Sequence, residues 1–277
     1  MGYRVIHALA VVFQTDTAET GSIHPVSKLN GLTGDPGKFT AESLSLILGK
    51  RNGCHCLHRQ NTIVLIVVTD KCVTAVREMT DIVLFCENLQ EIEKIEGLER
   101  IRFMTSHPKD LSDELIQVIS EEEVLCKHIH LPVQHGSSKI LQRMNRRYTR
   151  QNYLDLVERI RAKIPEVSLT TDILIGFPGE TEEEFEETVS LMKEVNYLAA
   201  YMYYYNPREG TPACTYENQI PMEIKKKRLA KIIDIQQEIT KVEMKKQLGK
   251  TVKVLVENIS RDNENEMLGR TSRDERV

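Results

Sequence analysis

From Glu91 onward, hydrophobic and polar positions follow two periods that take turns along the chain. Glu99–Ser106 reads as a short strand. Ser112 then stands where a helix cap is expected, with Asp113 and Glu114 in the first turn and Leu115, Val118 and Ile119 recurring on one face. Lys127–Val133 is a second strand, followed by a short helix around Ser138–Met144. The spacing of Tyr153, Val157, Ile160 and Ile164 predicts a helix from about Arg150 to Ile164, stopped by Pro165. Ser168–Gly176 is a third strand, and its apolar stretch Ile173–Ile175 suits burial on both faces. Thr181 and Glu184 have the spacing of a capping box and open a helix with Phe185, Val189 and Met192 inward. Leu198–Tyr205 is a fourth strand, and a long helix follows from Pro221 to about Leu248. Strand and helix alternating four times predict an α/β fold with parallel strands, either an open sheet or part of a barrel.

Both flanks of this body have a different texture. After Gly249, Val252, Val254 and Val256 alternate with Lys253, Leu255 and Glu257, the period-2 pattern of an antiparallel β module. Residues 251–277 are about half of what a small β-barrel usually requires, so the module is expected to be partial. At the other end, residues 1–87 hold 16 charged side chains, against 62 in the remaining 190, and seven of the 14 glycines. Gly21–Gly37 is turn-rich, and Asn61–Thr69 is a short apolar run of strand type. The expected organisation is a weakly patterned, disrupted segment over 1–87, an α/β body over 88–248 and a partial β module over 249–277.

Composition narrows the class. With 40% hydrophobic and 28% charged residues in 277, the chain has a soluble globular balance. Its longest aliphatic run, Ile63–Val68, is six residues, far short of the roughly 20 that a helical membrane span needs. Val5–Phe13 is nearly apolar, but it contains His7 and runs into Gln14–Glu19 without a small-x-small cleavage pattern, so a cytoplasmic location is expected. A net charge of −4 excludes a generally basic coat while leaving room for a local basic patch. Six cysteines in a chain of this size do not read as a secreted disulfide scaffold.

In parallel α/β folds, chemistry collects in the loops that leave the C-terminal ends of strands. Four such loops follow the four strands: Thr105–Pro108, Pro132–Ser137, Gly176–Thr181 and Asn206–Pro212. Gly and Pro shape tight turns in any protein, but four consecutive polar loops on one rim favour a polar ligand site. His107, His128, His130 and His135 lack an acid or cysteine at ligand spacing, which argues against a metal. Tyr201, Tyr203 and Tyr205 share a strand face and read as core and rim packing. The run Lys225–Arg228 reads as a solvated helix face. Arg143, Arg146, Arg147 and Arg150, close together beside a strand-end loop, are the RNA-binding candidates through phosphate.

Four strings at these loops carry a resemblance: Arg100–Asp110 (RIRFMTSHPKD), Lys127–Tyr148 (KHIHLPVQHGSSKILQRMNRRY), Thr171–Phe185 (TDILIGFPGETEEEF) and Asn206–Pro212 (NPREGTP). From about residue 88 to 277 the chain resembles the radical S-adenosylmethionine methylthiotransferases, specifically the MiaB-like tRNA enzymes, truncated or disrupted on the N-terminal side. The resemblance implies an incomplete radical-SAM (β/α) partial barrel and, over Gly249–Arg273, the start of a TRAM-like module that holds tRNA. It implies S-adenosylmethionine and [4Fe–4S] clusters as cofactors, tRNA as partner, a reductant protein and a monomer. The implied reaction adds a methylthio group to C2 of N6-isopentenyladenosine near the anticodon, chemistry that an unactivated C–H requires of cofactors. Gln134, Ser137, Asp172 and Gly176 stand where such a barrel contacts its cofactor.

One element of the pattern is missing. The family's radical cluster is held by thiolates spaced Cys-x-x-x-Cys-x-x-Cys, and Cys54, Cys56, Cys72, Cys86, Cys126 and Cys214 contain no such triad. Cys54-His55-Cys56-Leu57-His58 is the one local cluster, and ligands packed into five residues cannot easily surround a tetrahedral zinc. Cys126 and Cys214 are expected to be buried thiols. A chain without the triad is expected to be inactive alone, and the alternative reading is a non-catalytic RNA-binding remnant.

Overall fold

Alternation within each strand decides which side chains meet helices. The computed structural model describes residues 53–59, 62–69, 72–79, 89, 98–104, 108–260 and 263–277. Strands β1 (Gly53–Arg59), β2 (Thr62–Thr69) and β3 (Cys72–Met79) form an antiparallel meander, and β4 (Arg100–Met104) joins β3 in parallel. The strand expected over Asn61–Thr69 is β2; β1 and β3 carry too little alternation to announce themselves. Strands β5 (His128–His130), β6 (Ser168–Ile175) and β7 (Ala199–Tyr204) make a wholly parallel sheet. A bridge between Ile101 and Leu125 links β4 to the approach of β5: the Ile101 amide donates to Val124 O (2.7 Å) and the Cys126 amide to Ile101 O (2.9 Å). Parallel strands β3 to β7 thus follow one another in chain order, with helices between them from β4 onward. The α/β expectation holds.

Helices cover one side of this sheet. They are α1 (Asp113–Glu121), α2 (Ser138–Arg143), α3 (Arg150–Lys163), α4 (Glu182–Val195) and α5 (Met222–Lys245). Ile129, Leu131 and Val133 from β5 and its exit pack with Leu169, Ile173 and Ile175 of β6 against Leu115 and Ile119 of α1, Val157 and Ile160 of α3, and Phe185, Val189 and Met192 of α4. Each side chain so buried contributes about 1.5–3 kcal/mol relative to exposure. The Ser112 hydroxyl caps α1 by accepting from the Leu115 amide (3.2 Å), and Thr181 with Glu184 closes a capping box at α4. Tyr153 of α3 donates its hydroxyl to Leu131 O (2.9 Å) and receives that of Tyr197 (3.0 Å), so both buried phenols are satisfied and burial raises their pKa.

The opposite side of the sheet is polar. Arg100, Arg102, His128, His130, Ser168, Thr170 and Asp172 line it, because each alternates with a residue of the apolar core. A hairpin of β8 (Leu255–Ile259) and β9 (Met267–Arg270), with an irregularity between Val256 and Asn258, sits against the amino end of this polar side. Arg100 donates to Arg270 O (2.5 Å), Arg102 pairs with Glu257 (2.6 Å), and the Ser168 hydroxyl donates to Arg273 O (2.5 Å). The antiparallel module expected after Gly249 is this hairpin, although Val252 and Val254 lie ahead of its first strand.

Candidate functional site

The carboxyl ends of β5 and β6 meet where the sequence places its polar loops. Gln134 leaves β5 in the left-handed region (φ +69°). Its amide donates to Asp172 O (2.9 Å) and its carbonyl accepts from the Leu174 amide (2.7 Å), which fixes Gln134 beside Asp172. The Asp172 carboxylate is partly exposed, with Oδ2 3.6 Å from His130 Nε2. Gly176 follows β6 at φ +70°, and a Cβ there would lie 2.6 Å from Cγ of Lys225, so glycine allows the buried lysine to cross the strand end. Ser137 is buried, its amide donating to His135 Nδ1 (3.0 Å). Of the four predicted cofactor contacts, Gln134 and Asp172 stand side by side, Gly176 shapes the loop beyond them, and Ser137 lies buried behind.

Beneath the rim is a network that sequence reasoning missed. The Glu180 carboxylate is fully buried: Oε2 accepts from the amides of Gly176 (2.5 Å) and Phe177 (3.1 Å) and lies 3.3 Å from His135 Nε2. Oε1 pairs with Arg228 Nη1 at 2.8 Å, and Arg228 also reaches Glu182 at 2.9 Å. Lys225 donates to Tyr205 O (2.8 Å), and desolvation lowers its pKa against the upward pull of Glu180. The expected solvated face at Lys225–Arg228 is therefore half wrong. Lys226 and Lys227 are exposed, but Lys225 and Arg228, three residues apart, share the buried stripe with Ile232, Gln236 and Ile239. The available signal was that stripe extended backward by one turn.

The polar wall holds a second group. His128 Nε2 and His130 Nδ1 each lie 3.0 Å from the Thr170 hydroxyl. Burial pulls the His128 pKa down to about 4, with the Asp274 carboxylate opposing it. Tyr201 and Tyr203 were expected to pack; instead they are 57% and 56% exposed on this side of β7, while Ala200, Met202 and Tyr204 face the core and Tyr205 is buried. Among the described residues β7 is the last strand of its sheet, so its outward row has a neighbouring strand on one side only, where Tyr201 meets the His130 ring edge-on (5.8 Å, 74°). His107 and the residues Thr105–Ser106 lie outside the described residues, as do the side chains of Cys54, His55, Cys56 and His58.

The four arginines are not equivalent. Arg150 is committed to α4 through Glu187 O, the Ser190 hydroxyl (3.2 Å) and the Glu194 carboxylate (2.8 Å). Arg143 lies against Gly179 and over the Tyr216 ring, Arg146 is half-buried, and Arg147 is exposed. Cys126 is a buried free thiol as expected, whereas Cys214 is half-buried. Among the described residues no group of three or more His, Cys, Asp or Glu could hold a metal ion. The rim, with Gln134 and the partly exposed Asp172 side by side, suits a polar ligand. The cysteine spacing does not fit a radical-type cluster, which needs three thiolates converging from one loop.

The radical SAM superfamily matches residues 58–192. That superfamily works with S-adenosylmethionine and a [4Fe–4S] cluster. More particularly, the chain is 52% identical over 189 residues to the tRNA-2-methylthio-N(6)-dimethylallyladenosine synthase of Clostridium botulinum, a match covering 68% of this chain and 42% of that protein. The enzymes of the same name from Carboxydothermus hydrogenoformans and Acetivibrio thermocellus are 50% and 47% identical over 188 and 195 residues, covering 68% and 70% of this chain and 43% and 41% of theirs. The chain spans less than half the length of these relatives. A solved chain of coproporphyrinogen III oxidase from Escherichia coli overlaps 57% of this chain and 36% of its own, at 17% identity and a TM-score of 0.43, a loose overlap. By the superfamily match residues 58–192 belong to the radical SAM superfamily, and by its identity to the curated relatives the chain is a homologue of the tRNA methylthiotransferases.

Proposed function

We propose that this chain is an α/β remnant of a tRNA methylthiotransferase that retains contact with RNA and, alone, performs no methylthio transfer. The observation that carries this reading is the cysteine spacing. The rim keeps its polar groups in place, yet no Cys-x-x-x-Cys-x-x-Cys exists anywhere in the 277 residues to hold a cluster beside them. Gln134 and Asp172 would hydrogen-bond the polar parts of S-adenosylmethionine, while Gly176 shapes the loop beside them by letting Lys225 cross the strand end; when bound beside a cluster, that cofactor supplies radical chemistry. The residues of this chain can bind and orient such a ligand. They offer nothing to deliver an electron to it.

The partner in this reading is tRNA, held through Arg143, Arg146 and Arg147 after β5 and the hairpin that resembles the start of a TRAM module, Arg150 being committed to Glu194 and Ser190. The location is the cytoplasm, where tRNA is modified; no described helix is long and apolar enough to cross a membrane. Anaerobic reconstitution of the full chain with iron and sulfide, followed by electron paramagnetic resonance of the reduced sample, tests the first half. The expected spectrum lacks a [4Fe–4S]⁺ signal. A signal that shifts on addition of S-adenosylmethionine would disprove the reading.

A further inference from the structure

Arg143 is placed unlike the other three arginines. It is the last residue of α2, and its guanidinium fills the space a side chain at Gly179 would take: a Cβ built there would sit 2.4 Å from Nη1, 2.8 Å from Nη2 and 3.0 Å from Cζ. Gly179 holds φ +75° and its amide donates to Asn218 O (2.8 Å), which ties the Gly176–Thr181 loop to the segment carrying Tyr216. The Tyr216 ring forms the other wall, its centroid 6.0 Å from Arg143 Cζ. Tyr216 in turn meets Phe177 edge-on (6.1 Å, 83°), and Phe177 meets the buried Tyr205 the same way (5.2 Å, 68°). Ile140 and Met144, on either side of Arg143 in sequence, pack into that same aromatic cluster. Backbone, ring and helix end thus fix the guanidinium before any ligand arrives, and none of its N–H groups donates to a described residue.

We propose that Arg143, seated between Gly179 and Tyr216, is a preformed clamp for a phosphodiester group of single-stranded RNA. The inference rests on the RNA-binding reading above and names the atoms that do it. A planar fork with five donors matches two oxygens of a phosphate, and fixing it beforehand removes the side-chain ordering cost that a free surface arginine pays on binding. Tyr216 leaves an aromatic surface next to the fork, the pairing of charge and ring on which unpaired bases commonly stack. Arg146 and Arg147 follow within four residues and add positive potential, whereas Arg150 is already spent on Glu194 and Ser190. The nearest lysine on the same helix, Lys139, is likewise paired, with Glu184 at 3.2 Å.

The test is fluorescence anisotropy of a labelled tRNA anticodon stem-loop against the full chain, titrated from low to moderate salt. Arg143→Ala should weaken binding about tenfold and reduce the slope of log K against log salt by about one. Gly179→Ala keeps every charge but pushes the fork aside, and should weaken binding by a similar factor. Arg150→Ala should stay within twofold of wild type. If Gly179→Ala is poorly folded by circular dichroism, Arg143→Ala together with Arg143→Lys decides: lysine keeps the charge without the fork and should recover the salt slope but not the full affinity. Wild-type binding with Arg143→Ala and Gly179→Ala both unchanged would overturn the clamp alone. A wild type that shows no salt-dependent binding would overturn the clamp and the RNA reading together.

Discussion

At the scale of single residues, buried polar groups set what the chain tolerates. His128 is neutral in the fold because burial pulls its pKa from 6.5 to about 4. In the unfolded chain the ring takes up a proton as pH falls below about 6.5, and in the folded chain it does not until about 4. Folding stability should therefore decline between those two values, by at most about 3 kcal/mol for this one group. Urea midpoints at pH 7 and pH 5, for wild type and His128→Gln, measure it; an equal drop in both proteins would assign the loss elsewhere. Glu180 escaped the sequence reading for the opposite reason. A lone carboxylate in a Pro-Gly-Glu turn looks like surface, and only the fold brings Arg228, 48 positions away, onto it. Gln134 and Asp172 are legible from the family resemblance alone, and the fold brings them together through the backbone bonds between the exit of β5 and the middle of β6.

Elements with local signals were read closely. Ser112, Thr181 and Pro165 fixed helix ends to within a residue or two, since caps and prolines act through backbone hydrogen bonds made inside the same turn. Elements whose partners come from far away were read less well: β1 and β3 carry little alternation, and the outward row of β7 cannot be known exposed until the sheet is seen to end there. Thr181 gives the element-scale prediction. Its hydroxyl accepts from the Glu184 amide (3.2 Å) while the Glu184 carboxylate accepts from its amide (2.8 Å). Thr181→Ala should cost about 1 kcal/mol and lower the thermal midpoint by a few degrees. Because α4 carries Glu182, which shares Arg228 with Glu180, a much larger loss would mean that the cap also holds the rim network.

For the whole molecule, the decisive arrangement is the hairpin seated on the amino end of the polar wall. Its contacts are half-buried ion pairs and side chain-to-backbone bonds, with Arg102 serving both Glu257 (2.6 Å) and Asp274 (3.6 Å). Arg102→Ala leaves two carboxylates facing Arg270 alone, so tryptic cleavage within 250–277 should quicken roughly fivefold to tenfold while the α/β body stays resistant. An unchanged cleavage rate would mean that Arg100 and Ser168 suffice to hold it. The seat also dictates an order of assembly. Arg100 and its acceptor carbonyl on Arg270 are 170 positions apart, a distance a ribosome covers in roughly 10–30 seconds. During that interval the sheet can pair its strands and cover them with helices, but the two arginines of β4 have no hairpin to meet. A nascent chain of this protein passes through a stage with a closed apolar side and a bare cationic edge, and polyanions in its surroundings meet that edge first.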